Sequence, residues 1–113
     1  MSFVLCPLDT LIENEARSFR SPVGEVIVIQ RDNQVYAWQN ICPHLGLNLE
    51  FNPNEFMDSE NHFLICSNHG ALFNVEDGLC ISGPCQGDSL LPVSIEVIGN
   101  EIRLLATDEV NKS

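Results

Sequence analysis

Two short stretches hold the residue types best suited to chemistry: Cys42-Pro43-His44-Leu45-Gly46 and Cys66-Ser67-Asn68-His69-Gly70. Each pairs a thiol with a nearby imidazole, flanks the pair with Gly or Pro, and follows an apolar run that ends at the Cys. In a tight loop this spacing can aim both side chains of a pair at one point, which metal coordination requires and a packed strand cannot provide. Two thiolates and two imidazoles suit a tetrahedral zinc ion. They also suit a binuclear iron-sulfur cluster in which one iron takes both thiolates and the other both imidazoles. The common two-Cys, two-His zinc finger places its His pair on a helix. Here each loop carries one ligand of each kind and no helix follows, so mixed pairs on two facing hairpins make the binuclear site the better fit.

The elements that must position these loops read as short strands separated by turn chemistry. Residues 3–8 form a first strand, and an acidic turn follows at Glu13-Asn14-Glu15. Glu25 to Gln30 and Val35 to Trp38 are β-branched or aromatic runs joined by Arg31-Asp32-Asn33-Gln34, a hairpin signal. The first Cys-His loop opens directly after Ile41. Residues 45–65 are an excursion with turns at Asn52-Pro53-Asn54 and at residues 58–61. Residues 62–65 then deliver Cys66, and Ala71-Leu72-Phe73-Asn74 leaves His69 toward a turn at Glu76-Asp77-Gly78. Both loops are read as hairpin tips. Gly83-Pro84 begins an irregular stretch, residues 91–98 alternate as a strand, and Gly99-Asn100 turns the chain into residues 101–105. Residues 107–113 are a polar tail, and no helical periodicity or internal repeat stands out.

Composition bounds the class of function. At 113 residues and 44% hydrophobic, the chain is one small domain, residues 1–106, with a core but little apolar material to spare. No run approaches a membrane span of roughly 18 apolar residues and the N-terminus lacks leader character, so a cytoplasmic protein is expected. Five cysteines in that compartment argue for metal or redox chemistry over a disulfide framework. Sixteen acidic against five basic residues give a net charge of -11, which argues against nucleic acid and anionic membranes. The same charge serves solubility or a partner with a basic surface equally well.

The two loops, with Ala71-Leu72-Phe73, Gly78 and Gly83-Pro84, resemble the Rieske 2Fe-2S proteins in order and residue type. The resemblance covers most of the chain. It implies an all-β fold, a Rieske-like antiparallel β-sandwich with a small inserted cluster-binding subdomain at about residues 41–86. It also implies one 2Fe-2S cluster per chain held by Cys42, His44, Cys66 and His69, with a Gly-Pro loop covering it. Residues 45–65 make a longer insert than the family's small ferredoxins usually carry. High-potential members have an extra Cys in each loop, where this chain has Leu47 and Asn68, and a Ser and a Tyr after the second His, where it has Ala71 and Phe73. Missing hydroxyl donors leave more electron density on sulfur, so the resemblance is to the soluble, low-potential ferredoxins that serve ring-hydroxylating oxygenases.

Those ferredoxins imply a one-electron carrier, not an enzyme, that passes electrons from a flavin-dependent reductase to an oxygenase-type acceptor, and a monomer is the expected state. Two ferric ions, two sulfides and two thiolates sum to zero, so neutral imidazoles ease reduction relative to all-thiolate ligation. The alternative is a redox-sensing module acting through a partner, for which Cys80 and Cys85 on either side of Gly83-Pro84 are the suggestive feature, as a disulfide or as two thiols. Cys6 is read as a small core hydrophobe, His62 as a surface residue, and Trp38 and Phe73 as packed in the core or under the cluster.

Overall fold

The structure, a computed structural model, describes residues 3–41, 43, 49, 56–58, 60, 62–66, 70–84 and 86–105. Among the described residues, nine strands make three three-stranded antiparallel sheets. The strands are β1 (Phe3–Pro7), β2 (Ala16–Ser21), β3 (Gly24–Arg31), β4 (Gln34–Gln39), β5 (Phe63–Cys66), β6 (Ala71–Asn74), β7 (Cys80–Ser82), β8 (Ile95–Ile98) and β9 (Glu101–Leu104). One 3-10 turn, Leu8–Thr10, is the only helical element among the described residues.

The central sheet, β2-β3-β4, is buried on both faces because β3 is apolar on both. Val26, Ile27, Val28 and Ile29 are each 0% exposed, and successive side chains of a strand point to opposite faces. Val26 and Val28, with Ala37, face Leu5, Cys6, Leu11, Ile102 and Leu104 around the sheet β1-β9-β8. Ile27 and Ile29, with Trp38, face Phe56, Leu64, Phe73, Val75 and Leu90 around the sheet β5-β6-β7. Each large apolar side chain removed from water contributes about 1.5–3 kcal/mol, so this one strand anchors both cores. The third sheet lies in sequence between β4 and β8. The expected all-β architecture with an inserted unit is therefore what the chain adopts.

The β3–β4 hairpin turns through Asp32 and Asn33, both at positive φ (53° and 64°), the backbone that a two-residue hairpin with the proper twist requires. Two strands escaped the sequence reading. β2 carries Arg17, Ser18, Arg20 and Ser21, too polar to alternate, and pairs along its whole length with β3 from Ala16↔Ile29 to Ser21↔Gly24. β7 is three residues long and pairs with β6 through an irregular register. The expected strand over residues 91–98 shortens to β8. Pro92 has no amide hydrogen for a ladder, and it forms instead an isolated bridge with Trp38.

Both loops are expected from the sequence to be hairpin tips. Cys66 and Ala71 are paired ends of β5 and β6, so the second loop is a hairpin tip. For the first, residues 42 and 44–48 lie outside the described residues. β4 pairs with β3, and its last amide, Gln39 N–H, donates to Leu91 O at 2.8 Å, so the chain leaves the sheet at Asn40 with no following strand before β5 among the described residues.

Candidate metal centre

Of the four expected ligands, Cys66 lies among the described residues; Cys42, His44 and His69 lie outside them, as does Cys85. Cys66 is the last residue of β5 and is 0% exposed, packed in the same core as Ala71, Phe73 and Trp38. A cysteine in that setting behaves as a small hydrophobe unless a metal takes its sulfur.

Among the described residues, a backbone hydrogen bond spans the tip that carries His69. Gly70 N–H donates to Cys66 O at 2.8 Å, and Gly70 has φ +69°, which lets the chain double back into β6 within a few residues. Gly83 then packs against the root of this tip. A Cβ on Gly83 would lie 2.8 Å from Ala71 Cα, and its φ of +107° suits glycine alone. Gln86 N–H donates to Gly83 O at 3.2 Å and Gly87 N–H to Cys80 O at 3.3 Å, turning the chain back at Gly83, Gln86 and Gly87. Gly83 thus sits against Ala71, the first residue of β6.

The first loop is closed by a side chain. Asn40 is 1% exposed; its Oδ1 accepts from Leu49 N–H at 2.9 Å, and its Nδ2 donates to Glu25 Oε1 at 3.0 Å. Nothing in the sequence marked Asn40, since an Asn after a strand reads as an ordinary turn residue until its burial is seen.

Two further contacts fix the loop-bearing sheet to the central one. Trp38 Nε1 donates to Val75 O at 3.1 Å, and its ring lies where a Cβ on Gly78 would stand, 2.8 Å from Cζ3. Arg31 reaches from the end of β3 to Asn14 Oδ1 (2.8 Å), His62 O (3.1 Å) and Glu76 Oε2 (3.3 Å). The His62 side chain is 65% exposed, as its surface reading expected. In the opposite layer Cys6 is buried at 5% exposure; burial pushes its thiol pKa up, while a hydrogen bond with Thr10 and the charge of Arg17 pull it down.

A family model described as "Rieske [2Fe-2S] domain" matches residues 1–97. The chain belongs to the Rieske domain family. Over 74 residues it is 31% identical to a protein of Xanthobacter autotrophicus named "Alkene monooxygenase system, ferredoxin component", with 66% of this chain and 57% of that protein aligned. The chain therefore spans a little over half the length of that relative. Among solved structures, the ferredoxin of carbazole 1,9a-dioxygenase from Nocardioides aromaticivorans IC177 superposes with a TM-score of 0.76 at 24% identity, covering 95% of this chain and 99% of that one. A second, described as a complex of reduced oxygenase and oxidized ferredoxin in carbazole 1,9a-dioxygenase, gives 0.71 at 23% identity and 91% of each chain. At these identities the likeness establishes the fold.

A Rieske domain takes a 2Fe-2S cluster, and the donor set of this chain fits that group. The family's centre needs two thiolates on one iron and two imidazoles on the other, and the two loops carry two of each. The buried Cys66 at the mouth of a closed tip is the kind of dry position a thiolate ligand occupies. No described helix is long and apolar enough to cross a membrane.

Proposed function

We propose that Cys42 and Cys66 supply the thiolates and His44 and His69 the imidazoles for one 2Fe-2S cluster, and that the protein carries single electrons from a flavin-dependent reductase to an oxygenase-type acceptor. When bound, the cluster supplies a one-electron couple. The observation that carries the reading is Cys66, buried at the end of β5, whose carbonyl accepts from Gly70 N–H.

The chain's own residues hold the ligands and keep water away. Cys66 and Ala71 are sealed in the core under the second tip, and Gly83 closes on Ala71. Ala71 and Phe73 carry no hydroxyl and are 1% and 0% exposed, so no donor from these positions stabilises the reduced state. The potential belongs in the lower half of the family's span of roughly -150 to +300 mV. Ile41 and Leu91, 42% and 57% exposed, stand near the root of the first loop and offer a partner apolar surface there. The charge of -11 favours partners with a basic surface. The names of the relatives, ferredoxin components of oxygenase systems, support this assignment of partners. We place residues 1–106 in one domain, with the cluster-binding part at about 41–86, acting as a cytoplasmic monomer.

Purified protein should contain two irons and two sulfides per chain and give a rhombic reduced-state EPR signal with an average g below that of all-thiolate ferredoxins. Cys42→Ser and Cys66→Ser should lose the cluster, and Cys6→Ser should keep it. Stopped-flow mixing with a flavoprotein reductase and then an oxygenase should show fast reduction and reoxidation. Zinc in place of iron would overturn the ligand assignment, and a cluster that neither partner turns over would overturn the carrier role.

A further inference from the structure

The stretch that bears Cys42 and His44 leaves the central sheet at Asn40 and returns to the core at Leu49. One side chain holds both points. Asn40 is the one buried polar residue among those described, at 1% exposure. It accepts from Leu49 N–H, donates through Nδ2 to Glu25 Oε1, and donates through its backbone N–H to Glu25 O at 3.0 Å. Leu49 is 0% exposed, so its amide has no water to turn to if Asn40 is removed. Glu25 is the second residue of β3, immediately before the fully buried run Val26–Ile29, so the contact roots the loop in the most deeply buried strand among those described.

The chemistry of the contact selects an amide. It must accept from a backbone N–H on one side and donate to a carboxylate on the other; a carboxyl group at this position would oppose Glu25 at hydrogen-bond distance, and a hydroxyl is too short to reach both. Pinning both ends removes conformations from the ligand-bearing chain before any iron is bound, and that pre-organisation appears as slower ligand release.

We propose that Asn40 is a positioning residue for the cluster: by gripping Leu49 and Glu25 it sets the separation of the two ends of residues 41–48 and so the geometry at which Cys42 and His44 meet iron. This rests on the ligand set proposed above, and iron, sulfide and EPR analysis of the unaltered protein tests that set before any Asn40 variant is made.

The test uses cluster-loaded protein and follows two readouts, the loss of visible cluster absorbance in excess chelator and the reduced-state EPR lineshape. The variants are N40A, N40D, the exchange pair E25Q/N40D, and I102A as a core truncation in the opposite layer. N40A should release the cluster about tenfold faster and broaden the EPR line, the scale expected for an orphaned buried amide. N40D keeps the acceptor for Leu49 but sets two carboxylates face to face, and should fall between. In the exchange pair the new amide donates to the new carboxylate, and release should return to within about twofold of the unaltered protein. I102A should lower the melting temperature without speeding release. If the exchange pair releases no more slowly than N40D, or if I102A at an equal loss of melting temperature releases as fast as N40A, the proposal is overturned. Should N40A not accumulate as folded protein, N40D against E25Q/N40D decides by the same criteria.

Discussion

The two ligand loops present the same pair of donor types from roots of different construction. The second is the tip of a two-stranded ladder, so Cys66 and Ala71 are placed by backbone pairing, and the turn is completed by Gly70 and buttressed by Gly83. At the first, strand β4 ends at Gln39, and among the described residues the flanks are joined by the amide of Asn40 and the burial of Leu49. A backbone-closed tip is insensitive to most side-chain changes but intolerant of a Cβ at its glycines. A side-chain-closed loop has the reverse sensitivity. Equivalent ligands in one cofactor site can thus carry unequal mutational risk, set by where their loops get their hydrogen bonds.

The comparison can be broken most forcefully at Leu49. Leu49→Ala removes a fully buried side chain and should cost about 2–5 kcal/mol in urea unfolding, with faster cluster release. A loss well under that range would mean the first loop does not depend on its return to the core. Gly83→Ala comes next. Its Cβ would press on the backbone of Ala71 in a left-handed conformation, for about 2 kcal/mol and a perturbed EPR line, whereas Gly99→Ala, which has φ +59° and open space, should lose stability through backbone strain alone and leave the EPR line unchanged.

Smaller effects sharpen the picture. Arg31→Met breaks the hydrogen bonds to Asn14 and His62 and the ion pair to Glu76, whose side chain is 53% exposed, so solvent screening holds the total to about 1 kcal/mol. Because Arg31 joins the central sheet to the loop-bearing one, hydrogen exchange should rise in β5 and not in β9. Cys6 supplies the smallest effect. Its folded pKa lies above the unfolded value of about 8.5, so the unfolded chain ionises first as pH rises and stability is lost from there up to the folded pKa. Cys6→Ala should abolish that alkaline slope, read as the difference between the two proteins in urea unfolding from neutral pH to about pH 10. Cluster absorbance should be the same in both, since Cys6 packs in a different core cluster from Cys66.

Much was determined by local sequence. The run from Val26 to Ile29 is apolar at every position, so it can be satisfied only by a strand buried on both faces. The turn residues Asp32, Asn33 and Gly99 accept the positive φ they adopt, and so favour two hairpins. Cys-x-His and Cys-x-x-His specify the donor set by composition alone, because ligand chemistry depends on which atoms are offered. Trp38 and Phe73 as core, and His62 as surface, followed from the same local patterns. Tertiary structure decided everything that depends on a partner distant in sequence. β2 is polar enough to be overlooked and exists because β3 offers it a full edge. Pro92 interrupts an alternating run that would otherwise be one strand. Gly83 matters because Ala71 lies under it, and Asn40 because Glu25 and Leu49 converge on it where it is buried. Hydrophobic period and turn chemistry are written in neighbouring residues, whereas the value of a buried hydrogen bond or a missing Cβ is set by atoms that only the folded chain brings within reach.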